Sequence, residues 1–389
     1  MGEAVNPFNP YFPATAATFA NRSREQEFFR QGLAQGLHPR GPGPWNVALL
    51  GPWGIGKTSL LRRFAEITAE FNPPALAVSL TVTSAVADLR AVTAELLVRV
   101  QEEIRARRDW PERLRAELER WQPTVSIGPL RATRRGADRP EAADLDLYRE
   151  LRRLWWNHLD GRVAGLVVLL DDAHQLLTRD PDALLALRGT FQDLQGSGAR
   201  YPLVITGPDG LFEAVHDVSE PVTRFFERMP LGPFSLDDTR EAVMAPLRAV
   251  GNPIRVESGA VEALWRLTDG HPFFVTFAMR DIIRDAVASG REEVAEADVN
   301  SLWPAIAEHL AKERFEVEWQ SATPAERNVL RALAQGPEDA PVTKTLGRSG
   351  TALLGRLLRK GLVVRSGRGE YRLYHQLFRG YVLGRRLPF

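Results

Sequence analysis

The sequence predicts an α/β protein in which a parallel-sheet core is followed by an all-helical domain and a small C-terminal unit of helices and a hairpin. Three observations carry this expectation. Short apolar runs, "WNVALL" (45–50), "ALAVSLTV" (75–82), "GLVVLLDD" (165–172) and "YPLVITG" (201–207), alternate with longer segments of helical period. Strands and helices in alternation build a parallel sheet through right-handed crossovers. After Ser235 the strand patterns stop and only helical periods remain. Near the end, "LVVR" and "YRLY" flank "SGRG", the pattern of a hairpin.

With 389 residues, 44% hydrophobic and 25% charged, the chain suits an ordinary folded protein of two or three domains. It contains no cysteine, which excludes disulfides, thiolate zinc sites and cysteine nucleophiles together. The N-terminus lacks a basic start followed by an apolar run, and no apolar stretch approaches the length of a membrane span. The chain therefore reads as cytoplasmic, with no membrane partner. Its net charge of +1 is uneven: residues 321–389 hold 13 Lys/Arg against 4 Asp/Glu, a net +9 that leaves −8 for the rest. A basic end on an acidic body suits either a polyanion or an internal electrostatic dock.

In chain order, residues 1–45 form a lead-in, rich in Pro and aromatics up to Thr18, in which "FANRSREQEFFRQGL" has helical period behind an Asn/Ser start. The core spans 46–235. Its first strand ends at a glycine-rich loop, and "KTSLLRRFAEITAEF" (57–71) continues as a helix. A second strand at 75–82 and a long amphipathic helix from Asp88 to Arg107 follow. Between about 122 and 143 the pattern weakens into an insertion, with "TVSIGPLRAT" a possible short hairpin and "RRGADRPEAAD" a mobile stretch. "LDLYRELRRLWWNHL" restores helix, 165–172 and 201–207 give two further strands, and "MPLGPFS" (229–235) gives a weaker one. Residues 236–320 show helical patterns at 236–250, 257–268, 271–289 and 294–313. In 321–389, Thr323 caps a helix begun by Pro324, two short helices are separated by "GRSG", and the hairpin follows. Three helices and a hairpin make a winged helix-turn-helix.

Residues 51–58 fit G-x-x-x-x-G-K-[ST] at Gly51, Gly56, Lys57 and Thr58, with strand and helix on the expected sides. Such a loop turns its backbone N–H groups around phosphate oxygens at the positive end of a helix, where side chains would obstruct them. The loop residues Gly51, Pro52, Trp53, Gly54, Ile55, Gly56, Lys57, Thr58 and Ser59 are thus expected to hold a nucleotide. Lys57 would neutralise the β- and γ-phosphates, and Thr58 would offer its hydroxyl oxygen to Mg²⁺. Trp53 is not required by phosphate binding and reads as packing, over the loop or a neighbouring helix. Asp171 closes the one apolar run suited to carry the metal-organising carboxylate. Asp172 follows, placed to orient the attacking water, although it is a methylene shorter than glutamate; slow turnover is expected. His174 reads as a helix-surface residue.

The set "FANR…E", "GPWGIGKTS", "VVLLDDAHQL", "VITGPDG", "RFFERMPLGPFSLDDTREAV" and "DGHPFFV", followed by the winged helix, resembles the STAND and initiator-like branch of the AAA+ ATPases over nearly the whole chain. The resemblance implies a five-stranded parallel sheet with the loop after its first strand, a helical lid over the nucleotide, ATP/ADP and Mg²⁺ as ligands, and homo-oligomers whose subunits complete each other's sites. It puts Thr206 near the sensor-1 position, Arg22 where the chain closes over the base, and His271 and Pro272 in the G-x-P by which the lid approaches the nucleotide. It also implies an arginine finger acting in trans, with Arg224 and Arg228 as candidates. Two departures stand out: no clear Asn at sensor 1, and no arginine near the "GHP" helix start for sensor 2. Reading of the γ-phosphate by the lid is therefore in question.

In the C-terminal unit Arg348, Arg356, Arg359 and Lys360 lie on or beside the expected recognition helix (349–360), and Arg365, Arg368 and Arg372 on the wing. Such a cluster suits phosphates of double-stranded DNA with little sequence selectivity. In proteins of the family resembled, a winged helix also serves as an intramolecular clamp or docks a protein client. Both partners remain open. The sequence-level reading is an ATP-driven molecular switch, with two alternatives: a poorly hydrolysing, ATP-gated DNA-binding regulator, or a signalling scaffold.

Overall fold

A computed structural model describes residues 5–15, 18–83, 86, 88–107, 110, 112, 116, 121, 147–212, 220–337, 347–367 and 369–384. The insertion expected at about 122–143, with its possible hairpin, lies outside the described residues.

Five parallel strands form the core sheet: β1 (Val47–Leu50), β2 (Ala75–Thr81), β3 (Gly165–Asp171), β4 (Leu203–Gly207) and β5 (Glu227–Pro230), in the order β2-β3-β4-β1-β5. Every residue of β1, β3 and β4 is buried, as continuous apolar runs in a sheet covered on both faces require. Insertion of β4 between β3 and β1 places the C-terminal ends of these three strands side by side. That is the edge of an open parallel sheet where ligands bind. β5 pairs with β1 through Val47↔Glu227 to Leu50↔Pro230, so it begins earlier than the expected 229–235 and ends at Pro230, where the chain turns toward the helices.

α1 (Ser23–Leu37) packs on α2 (Lys57–Ala69) through Phe29 and Phe64, stacked with centroids 3.9 Å apart. The expected Asn/Ser start of α1 is corrected. Asn21 and Arg22 both take positive φ, and Arg22 stands at the N-cap with no side-chain cap bond. α3 (Leu89–Ala106) begins at Asp88, whose side chain accepts from the Ala91 N–H. Of the helix expected over "LDLYRELRRLWWNHL", the first two residues lie outside the described residues; the rest is α-helical at Leu147–Leu154 and continues as a π turn over Trp155–Leu159.

The helices after Ser235 are Leu236–Ala249, Ser258–Thr268, Pro272–Ala288 and Glu296–Leu310, the last extended by a π turn at Ala311–Phe315 and a helix at Glu316–Ser321. Ser235 and Asp238 form a capping box at the first of them. Strands do not stop at Ser235: Arg255–Val256 and Glu293–Val294 pair in parallel. They are too short to leave an alternating signature.

At the C-terminus, Thr323 and Glu326 form the capping box of helix Pro324–Gln335. "GRSG" is not a break but is itself helical, within helix Gly347–Arg359; the short helix expected ahead of it lies outside the described residues. The antiparallel hairpin Val363–Gly367 and Glu370–Leu373 follows, then helix Gln376–Val382. Leu357, Val363, Leu373 and Phe378 of this segment share one buried cluster with Val243, Phe274, Trp303 and Phe315. The helices after Ser235 and the C-terminal segment are thus continuous in their packing. Among the described residues no helix is long and apolar enough to cross a membrane.

Candidate nucleotide-binding site

The glycine-rich loop leaves the buried end of β1 and enters α2 at Lys57. Gly54 and Gly56 hold φ of +74° and +97°, the left-handed region that side chains disfavour. A Cβ on Gly51 would stand 2.9 Å from Ile55 Cγ2 and 3.0 Å from Leu231 O. The loop therefore has its shape because these positions have no side chain. Lys57 Nζ donates to Gly51 O and Pro52 O, both at 2.8 Å. Burial pushes its ammonium below the ordinary value, against the pull of Asp172, Asp209 and Asp171.

The structure brings together the two residues expected to hold a metal. Thr58 Oγ1 donates to Asp171 Oδ2 at 2.8 Å, and Asp171 is 4% exposed. Thr206, fully buried at the end of β4, donates from Oγ1 to Asp171 Oδ1 at 2.5 Å and accepts from the Asp172 N–H at 2.8 Å. One threonine thus fixes both aspartates. Asp172 sits at φ +54°, an uncommon conformation for a non-glycine residue. Burial, then repulsion from Asp171, push its carboxyl up to about 6, against the pull of Lys57. His174 lies beside it, Nδ1 to Asp172 Oδ1 at 3.8 Å, and burial lowers the imidazole to about 4. It is half-buried in the site, not simply on a helix surface.

The rim comes from distant segments. Arg22 donates to Ile55 O at 3.1 Å and Gly232 O at 2.7 Å, and stacks over Phe234. His271, buried at the N-cap of helix Pro272–Ala288, donates from Nε2 to Trp53 O at 3.1 Å. Pro272 opens that helix, and the next residue, Phe273, donates its N–H to Gly54 O at 3.2 Å. Ser59 Oγ accepts from the Ala14 N–H at 3.1 Å, tying the lead-in to α2. A cavity of about 270 Å³ beside the loop is lined by Pro52, Ile55, Leu231, Asp269 and His271, and from the C-terminal segment by Arg365, Arg372, Tyr374 and His375.

Other expected residues stand apart. Arg228 is exposed on β5 at the register of Ala48, back from the loop, with its guanidinium 4.8 Å from the Phe212 ring centre. Arg224 is exposed on the preceding turn of helix. Lys360 turns inward, its Nζ bonded to Glu326 Oε2 at 2.7 Å and Ser321 O at 2.8 Å. Arg356 and Arg359 occupy the last turn of their helix, the side chain of Arg348 lies outside the described residues, and so does Arg368. Sequence reasoning missed Phe273, Arg314, Tyr374 and His375. They stand far along the chain from the loop they surround, and no local pattern joins them to it.

An oxygen donor set of one hydroxyl and one carboxylate fits Mg²⁺, which keeps several waters and takes few protein ligands. A turn with glycine at 51, 54 and 56, leading into a helix N-terminus, fits a polyphosphate. Residues 18–205 match the family model of the AAA ATPase domain. No curated protein matches the chain significantly. Among solved structures, the Walker-type ATPase PABY2304 of Pyrococcus abyssi is similar at TM-score 0.62 and 16% identity, over 96% of this chain and 99% of that one. The ORC2 protein of Aeropyrum pernix, solved in ADPNP–ADP complexes, is similar at 0.62 and 16%, over 98% of each chain. The Aeropyrum pernix ORC1 protein in complex with DNA gives 0.50 and 18%, over 94% and 92%. The likeness is one of fold, and it extends over nearly the whole chain.

Proposed function

We propose that this chain is an AAA+ switch of the STAND or initiator-like kind, which binds ATP with Mg²⁺, hydrolyses it slowly, assembles in the ATP state and engages DNA or a protein client through a C-terminal winged helix. The observation that carries the reading is the Thr58–Asp171–Thr206 arrangement beside a loop held open by Gly51, Gly54 and Gly56. Residues 236–320 act as the lid and 321–389 as the winged-helix unit. Thr58 and Asp171 would hold Mg²⁺, which when bound would supply charge neutralisation for the nucleotide's phosphates.

The chain's own residues divide the remaining work. Lys57 places an ammonium at the loop, and its partial burial strengthens its attraction for phosphate. Asp172, raised to about 6, is mostly ionised at pH 7 and accepts a hydrogen bond from water. Its short side chain reaches less far than a glutamate, which supports slow turnover. Arg224 and Arg228, exposed near the edge strand β5, are candidates to stabilise a neighbouring subunit's site in trans. Arg22, His271 and Pro272 close the nucleoside side.

For the C-terminal unit one observation favours the protein-contact reading. Arg365 and Arg372 line the cavity beside the loop, and the unit shares its core with the lid. In this arrangement it docks within the chain, and DNA contact by Arg356, Arg359, Arg365 and Arg372 calls for its release.

The test is Asp172→Asn against Lys57→Ala. The first is expected to keep ATP binding and lose turnover by about a hundredfold, in the range of general-base removal. The second is expected to lose binding. Full turnover by Asp172→Asn would remove Asp172 from the chemistry. Sizing the protein with and without ATP and a DNA duplex tests assembly and partner class.

A further inference from the structure

Phosphate binding gives no reason for a tryptophan in the middle of the loop, yet Trp53, 38% exposed, is held by residues from far along the chain. Its ring lies edge-on against Phe273, with centroids 4.5 Å apart, and the Arg314 guanidinium covers it at 3.3 Å from the ring centre. Its carbonyl accepts from His271, and the next carbonyl, at Gly54, accepts from the Phe273 N–H. Four contacts from beyond Ser235 therefore grip two residues of the loop. Arg314 stands in the π turn Ala311–Phe315, an irregularity that is frequent where a helix serves a function.

Arg314 is held in turn. Its NH2 group pairs with Glu318 at 2.7 Å, and Glu318, 6% exposed, accepts from the Tyr374 hydroxyl at 2.8 Å. Arg314 Nε is buried without a hydrogen-bond partner, while the guanidinium faces the Trp53 ring and pairs with Glu318. Tyr374 follows directly on the C-terminal hairpin. Burial raises the Glu318 carboxyl, opposed by Arg314 and by the tyrosine bond. A buried carboxylate of this kind is costly unless both partners stay in place.

We propose that Arg314 is a positioning residue for the phosphate-binding loop, clamping Trp53 from the helical region, and that Glu318 and Tyr374 tie this clamp to the C-terminal hairpin. Nucleotide affinity then depends on residues that touch no nucleotide, and linkage makes the C-terminal segment sensitive to loop occupancy in return. The inference rests on the loop being a nucleotide site.

The experiment measures the dissociation constants of a fluorescent ATP analogue, with turnover in parallel, for the full chain and for Arg314→Ala, Arg314→Lys, Trp53→Phe, Glu318→Gln and the Trp53→Phe/Arg314→Ala double variant. A cation–aromatic contact between partly exposed groups, Trp53 at 38% and the Arg314 side chain at 25%, is worth about fivefold. Arg314→Ala is expected to weaken binding by about fivefold with kcat changed less than about twofold. Arg314→Lys, which keeps the charge and loses the planar stack, is expected to fall between it and wild type. Glu318→Gln, one contact removed from the loop through Arg314 and from the cavity through Tyr374, is expected to weaken binding by about threefold. The double variant is expected to bind no worse than the weaker single one, because both changes break one contact. Additive losses, or wild-type affinity in Arg314→Lys and Glu318→Gln, would overturn the inference even if Arg314→Ala fails to fold. Failure of the wild-type chain to bind the analogue would instead overturn the nucleotide reading itself.

Discussion

Thr206→Val isolates what one hydroxyl does at the centre of the site. The side chain is fully buried and valine keeps its shape, so the packing term is small. Two hydrogen bonds disappear: the donation to Asp171 Oδ1 at 2.5 Å, and the acceptance from the Asp172 N–H at 2.8 Å. The first is charge-assisted, a class worth about 1.5–3 kcal/mol, and the amide left with a weaker partner adds about 1 kcal/mol. The Asp172 N–H keeps its longer bond to Asp171 Oδ1 at 3.2 Å, which limits that second loss. Urea unfolding of the nucleotide-free protein is therefore expected to show a loss of about 3 kcal/mol. Thr206→Ser, which keeps the hydroxyl and loses one methyl, is expected to lose about 1 kcal/mol. Turnover should fall further in the valine variant than in the serine variant, since Asp171 and Asp172 both lose their shared anchor. Equal stability and equal turnover in the two variants would refute the reasoning.

Three further outcomes follow from the same geometry. His375 donates from Nε2 to Thr268 O, accepts at Nδ1 from the Leu377 N–H, and is lowered by burial, then by Arg372, from 6.5 to about 4. The unfolded chain takes up this proton first, so stability should decline as pH falls from about 6.5 toward 4, by at most roughly 3 kcal/mol; denaturation midpoints that do not fall across that window would contradict it. Lys360→Ala leaves Glu326, 1% exposed, without its cation, and should cost about 3 kcal/mol in unfolding experiments with no change in the salt dependence of duplex binding; Arg356→Ala with Arg359→Ala should instead reduce that dependence. Gly54→Ala puts a Cβ at φ +74°, 2.9 Å from Phe273 Cβ and 3.0 Å from His271 Cε1; a cost of about 3 kcal/mol should appear as lower stability or, if the loop shifts, as weaker nucleotide binding.

What the sequence made legible was local. β3 and the loop announce themselves because a strand buried on both faces must be apolar throughout, and a phosphate-sized turn needs glycines at fixed spacing. Thr58 and Asp171 were legible as a pair because the first fixes where the second must end. What stayed hidden depends on folding distant segments together. Lys360 looks like one more cation on a basic helix until Glu326 is seen buried beneath it. "GRSG" reads as a break, since each helical glycine costs about 1 kcal/mol. The burial of Leu354 and Leu357 two turns later outweighs that cost. π turns at Trp155 and Ala311 add one residue to a turn and leave the apolar period almost intact. Trp53 posed a question that its own neighbours in sequence do not answer; Arg314 and Phe273 answer it.

The most direct measurement is a calorimetric titration of the full chain with ATP, with and without Mg²⁺, beside Lys57→Ala. The account predicts saturable binding by the wild-type chain, tightened by Mg²⁺ and absent in the variant. Undiminished binding by Lys57→Ala, or none by the wild-type chain, would contradict it.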